Sequence, residues 1–249
     1  MRPHRMLLAA VAATALGAAC GGAPPGNAPA APAADAGPTG GVLVRVALHG
    51  TPPPPASIRL DADPKCIELE GQATRLTEDI VTGEGAALQH VFVYVKEGVT
   101  GSYPVPTDPV IIDQQSCRYV PRVLGIRVGQ PLEIRNSDPL LHNVRAEGRY
   151  NEGFNLGQPI AGLSMTRVFA TTEVMVPIKC DVHAWMRAWV GVLDHPFFGV
   201  TGPAGTVELA RLPAGRYVVE AWHEHLGTRT ATVTIAPGET KDVSLTFEL

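Results

Sequence analysis

The chain reads as an all-β protein built as a β-sandwich. Three features predict this: short apolar runs of strand length, turn residues between them, and no long stretch of helical periodicity. The runs fall at residues 42–48, 91–95, 110–112, 123–128, 132–135 and 174–178, and they are dense in β-branched side chains. Met165, Arg167 and Phe169 alternate with Thr166 and Val168, the period of a strand with one face turned inward. Met165 and Met175 are accordingly assigned to the core. Short strands that each give one face to a core suit two packed sheets.

The 249 residues are 45% hydrophobic, enough to bury one or two ordinary cores. With 18% charged residues, a formal net charge of -4 and no Lys/Arg block, the chain has neither the basic surface that nucleic acid requires nor one suited to an anionic membrane. At the start, Arg2 and Arg5 precede an apolar run at residues 6–19 that is too short to span a bilayer. This order of charge, hydrophobe and small residues predicts a signal peptide at residues 1–19. The small residues before Cys20 resemble a bacterial lipobox, with Gly17 where a larger aliphatic residue is usual. That resemblance implies lipidation at Cys20 and, with Gly21 after it, carriage to the periplasmic side of the outer membrane or the cell surface. The membrane is then met through the lipid alone. Residues 20–41, nearly all Ala, Pro and Gly, read as an extended tether.

Composition changes after His195 and Pro196. In residues 196–249, Val207 and Leu209 share one face, a Pro-Ala-Gly turn follows, residues 217–221 form a further strand, and Val243, Leu245, Phe247 and Leu249 alternate at the end. Gly205 followed by Leu212-Pro213-Ala214-Gly215-Arg216-Tyr217 resembles the later half of a carboxypeptidase regulatory-like, transthyretin-type β-sandwich. The earlier half is not evident beside it, so the segment either stands alone or completes the sheets of the preceding unit.

Chemistry concentrates in KCDVHAWMRAWVGV, where Cys180, His183 and Met186 stand at C-x-x-H-x-x-M spacing just after a predicted strand. One loop thus offers a thiolate, an imidazole and a thioether. Copper that alternates between Cu(I) and Cu(II) takes two His and one Cys with a weak axial Met. The second imidazole is available upstream in NSDPLLHNV, at His142. Each residue alone has a plainer explanation, since Cys and Met commonly fill cores and His commonly closes loops. Their combination in this order is what points to a metal.

Both motifs resemble the cupredoxin family, with His142-Asn143-Val144 like its N-terminal copper histidine and CDVHAWMR like the short ligand loop of amicyanin and plastocyanin. Leu141 replaces a frequent Pro, and Lys179 replaces a common aromatic. The resemblance implies a cupredoxin-like Greek-key sandwich over residues 42–195 holding one mononuclear type 1 copper. His142, Cys180 and His183 would be the strong ligands, Met186 the axial one, and Asn143 the residue that ties the two ligand loops together. It further implies single-electron transfer to a transient redox protein partner, not catalysis, with the exposed edge of His183 as the electron port and Trp185 in an apolar docking patch.

Three rival functions remain open on the sequence: copper delivery, a metal-free adhesin or carbohydrate-binding sandwich, and a multicopper enzyme. The last needs a second site, for which His195, His223 and His225 are the candidates, although solvent-exposed or turn-binding histidines are commoner. With Cys20 assigned to lipid and Cys180 to metal, Cys66 and Cys117 remain, 51 positions apart. In an oxidising compartment they are expected to form a disulfide, the alternatives being buried thiols or a second metal site.

Overall fold

The computed structural model describes residues 39–61 and 63–249. The signal peptide, Cys20 and residues 20–38 of the expected tether lie outside the described residues. The described chain is all-β with a single short α-helix, as the strand-length runs predict.

The strands bury two cores. In the first, Thr39–His49 lies between Thr206–Pro213, antiparallel, and Thr240–Glu248, parallel. A second sheet, ordered Phe198–Val200, Phe92–Glu97, Gly215–His223, Gly227–Ile235, packs against it. Val42, Val44, Val46, Leu48, Val93, Val95, Leu209, Val219 and Phe247 fill the space between. Residues 39–41, expected in the tether, begin the first strand instead. Gly40 fits there because it has no side chain: a Cβ would stand 2.2 Å from the Glu239 carbonyl oxygen.

The other sandwich sets a five-stranded sheet, Phe154–Gln158, His142–Ala146, Glu173–Lys179, Arg187–Leu193 and Val123–Arg127, against Leu163–Val168, Pro131–Asn136, Val110–Gln114 and Tyr119–Val120. Ile112, Ile126, Leu132, Ile134, Val144, Val176, Ile178 and Val190 form its interior. Met175 is buried as expected. Met165 is only half-buried, because its strand pairs on one side alone and so forms an edge of its sheet.

Strand pairing does not follow a cut at residue 195. The strands Thr39–His49 and Phe92–Glu97, placed by sequence order in the first unit, are hydrogen-bonded to strands of residues 196–249. Residues 196–249 therefore supply one part of a sandwich that the N-terminal strands complete. Alternation identifies a strand but not its partner, and these partners lie far away in sequence.

The two sandwiches meet at a third apolar cluster of Phe92, Tyr94, Val123, Met175 and Leu193. Gly125 and Gly191 are register partners on adjacent strands. Their missing side chains leave a notch for aromatic rings: a Cβ on Gly191 would lie 2.3 Å from Phe92 Cζ, and one on Gly125 2.4 Å from Phe198. Gly191→Ala is expected to cost about 1–3 kcal/mol by overpacking. Urea denaturation measures this, and an unchanged midpoint at unchanged slope would remove the notch as a packing constraint.

Candidate metal centre

His142 opens the strand His142–Ala146, directly after a tight turn at residues 137–141. Asn136 holds that turn, its amide donating to the carbonyls of Leu140 (3.0 Å) and Gln158 (2.9 Å). Cys180 follows the strand Glu173–Lys179, which pairs with His142–Ala146 through Lys179 opposite Arg145. The loop from Cys180 then turns back on itself. Met186 N donates to the His183 carbonyl at 2.9 Å, and Cys180 N donates to the Met186 carbonyl at 3.3 Å. A C-x-x-H-x-x-M segment therefore closes into one turn beside the strand that carries His142.

This brings His142, Cys180 and His183 together, with one ligand atom from each within 4.8 Å of the others. The two Nδ1 atoms are 3.0 Å apart, and Cys180 Sγ lies 3.9 Å from His183 Nδ1. His142, Cys180, His183 and Met186 are all buried, at no more than 4% exposure. Asn143 bridges the two loops: its Oδ1 accepts from Asp181 N at 2.6 Å and lies 3.3 Å from Cys180 Sγ. Its amide nitrogen donates to Asn155 (2.7 Å) and Asp181 (3.0 Å), and Tyr119 Oη donates to its carbonyl.

Electrostatics favour a thiolate. Burial pushes the Cys180 thiol up, but hydrogen bonds with His142 and His183, and with backbone around Asn143, bring it down to about 5. Burial likewise pushes His142 down, and Asp138 with Cys180 more than reverses this, so its imidazole is more basic than usual. Two imidazoles and an acidic thiol, buried together next to a thioether residue, form a donor set that fits copper.

Sequence reasoning missed the outer partners of the histidines. Asp138 Oδ2 sits 2.9 Å from His142 Nε2, and the same carboxylate accepts from the backbone N–H groups of Ser116 (2.7 Å) and Cys117 (2.8 Å). On the other side, Asp63 Oδ2 is 3.4 Å from His183 Nε2. Asp63 caps the seven-residue helix Pro64–Glu70, which the paired strands Ser57–Arg59 and Thr74–Leu76 flank. The Cys66–Cys117 disulfide ties this helix to the turn after Val110–Gln114.

This helix and its flanking strands form a cap beside His183, and the cap overturns one expectation. His183 has no exposed edge, being only 1% accessible. Trp185 is half-buried, its ring tilted against that of His183 with centroids 5.1 Å apart, and its indole donates to the Cys117 carbonyl at 3.1 Å. It packs under the cap instead of presenting a free face. The large apolar side chains exposed here are Leu141 and Val182, at 47% and 44%, each immediately preceding a candidate ligand histidine.

The second cluster is not assembled. Among the described residues, no group of three or more His, Cys, Asp or Glu with ligand atoms within 4.8 Å includes His195, His223 or His225. His195 Nδ1 accepts from Phe197 N, and His223 Nδ1 from His225 N. Burial lowers the basicity of His195, and takes His223, with help from His225, down to about 4. Neutral rings that satisfy turn amides account for His195 and His223. Trp189 packs against Trp222 at 5.1 Å and donates to Glu224.

No family model and no curated protein matches the chain. Among solved structures, a Cu-containing nitrite reductase from Thermus scotoductus SA-01 aligns at 20% identity and TM-score 0.33, over 38% of this chain and 24% of its own. The chain thus spans about a quarter of that enzyme's length. A reduced single-residue mutant of amicyanin aligns at 21% identity and TM-score 0.31 (35% of this chain, 85% of its own). A purple cupredoxin from Nitrosopumilus maritimus aligns at 22% identity and TM-score 0.29 (33% and 97%). The all-β class itself rests on the strand pairing described above.

Proposed function

We propose that this chain is an exported copper protein that passes single electrons, its one copper held by His142, Cys180 and His183 with Met186 as a weaker fourth donor. The observation that carries the reading is the buried gathering of two imidazoles and an acidic thiol within 4.8 Å. Copper bound there supplies one-electron exchange between Cu(I) and Cu(II). The chain's own part is to hold the donors before metal arrives: Asn143 locks the Cys180 loop to the His142 strand, and Asp138 fixes the His142 ring. Burial of all four residues supports electron transfer over turnover of a bound substrate. Leu141 and Val182 support a small apolar contact for a transient redox protein partner, in place of a contact at the His183 edge. A leader at residues 1–19 and a lipid on Cys20 would place this work at the outer membrane.

Copper reconstitution of residues 21–249 tests the reading. An intense thiolate-to-copper band at about one copper per chain, abolished in Cys180→Ser, is the expected result. Stoichiometric binding without that band would favour copper delivery, and no binding would end the copper reading.

A further inference from the structure

Both candidate ligand histidines carry a carboxylate on the ring nitrogen that faces away from the other ligands, but the two carboxylates have different origins. Asp138 belongs to the turn that leads into His142. Asp63 is 120 positions from His183 and reaches it only because the cap brings it there.

The cap is fixed at several points. Beyond the disulfide, Lys65 Nζ donates to the Pro139 carbonyl at 3.0 Å, and Leu60 and Cys66 are fully buried. Arg75 donates to the Ser116 and Cys117 carbonyls and to Glu70. Asp63 itself is aimed: its Oδ1 accepts from Lys65 N at 2.9 Å, which leaves Oδ2 facing His183.

We propose that Asp63 is a positioning residue of the metal centre. It accepts a hydrogen bond from His183 Nε2, fixes the ring with Nδ1 turned toward Cys180 and His142, and adds a second negative charge beside the site. This rests on the copper reading above. A carboxylate on the outer nitrogen makes the imidazole a better donor and favours the more highly charged metal ion. The cap thus does what solvent cannot: it holds His183 in one orientation in both oxidation states.

The test compares full-length wild type with Asp63→Asn, Asp63→Ser and Asp61→Asn after copper loading, by redox titration of the thiolate-to-copper band and by electron paramagnetic resonance. Asn and Ser cap helices about as well as Asp, so both Asp63 variants keep the helix. Asp61 lies on the same segment, paired with Arg59, so its variant removes an equal charge from a neighbouring place. In Asp63→Asn and Asp63→Ser the Cu(II) affinity is expected to fall about tenfold relative to Cu(I). That is a rise in reduction potential of about 59 mV for one electron. Asp61→Asn is expected to leave the potential and the copper signal unchanged. An unmoved or lowered potential in the Asp63 variants, or an equal rise in Asp61→Asn, would overturn the positioning role. Absence of the band in wild type would instead remove the copper reading on which it rests.

Discussion

Replacing Glu70 by Ala is expected to lower stability by about 3–5 kcal/mol, the cost of leaving a buried charge without its partner. Glu70 and Arg75 are 9% and 6% exposed, and Glu70 also takes two hydrogen bonds from Arg118, at 2.8 and 3.0 Å. With the carboxylate gone, Arg75 keeps only the neutral carbonyls of Ser116 and Cys117. Those acceptors hold the loss toward the lower end of the range. Chemical denaturation measures it, and a loss below about 1 kcal/mol would class the contact with exposed ion pairs. The pair also carries a pH signature. Arg75 first, and Arg118 with it, hold the Glu70 carboxyl at about 2, well below the ordinary value of 4.5. A carboxyl depressed by folding stabilises the protein above its unfolded value, and that stabilisation is lost as pH falls through the folded one. Wild type should therefore lose this contribution between about pH 4.5 and 2. Glu70→Ala should have a shallower acid limb across the same window.

The residues legible in the sequence are those whose arrangement is local. Cys180, His183 and Met186 lie in one turn, so their spacing alone sets their proximity. His142 joins them because its strand is adjacent, which the H-N-V resemblance anticipates. Asp63 and Asp138 were missed for opposite reasons. Asp138 stands four residues before His142 and could have been suspected from that interval. Asp63 reaches His183 only through a disulfide and a helix too short to show periodicity, although Asp63, Pro64 and Gly71 spell a start and a stop for it. The same limit explains the sheets. Val42, Val44, Val46 and Leu48 announce a strand, but only the folded chain shows that Val44 pairs with both Val207 and Val243. His223 and His225 share a sequence interval suited to metal binding, yet the turn at their strand end uses the His223 ring as a backbone acceptor.

The double variant Cys66→Ser/Cys117→Ser is expected to lose about 4 kcal/mol, because the disulfide closes a loop of 51 positions in the unfolded chain. Its origin differs from that of the Glu70 loss. The crosslink acts by restricting the unfolded ensemble, whereas Glu70 acts on the folded cap. In the folded double variant, Arg75, Glu70, Arg118 and Lys65 still pin the helix, and Asp138 still holds the Ser116 and Cys117 amides. The cap should therefore remain closed, with His183 as inaccessible to an imidazole-modifying reagent as in wild type. Glu70→Ala should do the reverse, opening the cap locally while the disulfide keeps it attached. Combining the changes separates the two effects. If each restrains the cap independently, the triple variant loses about the sum of the two costs, within roughly 0.5 kcal/mol. A larger combined loss would mean that either restraint suffices to keep the cap on His183, and that the folded site depends on having one of them. A double variant as stable as wild type would show instead that the crosslink places no net restriction on the unfolded chain.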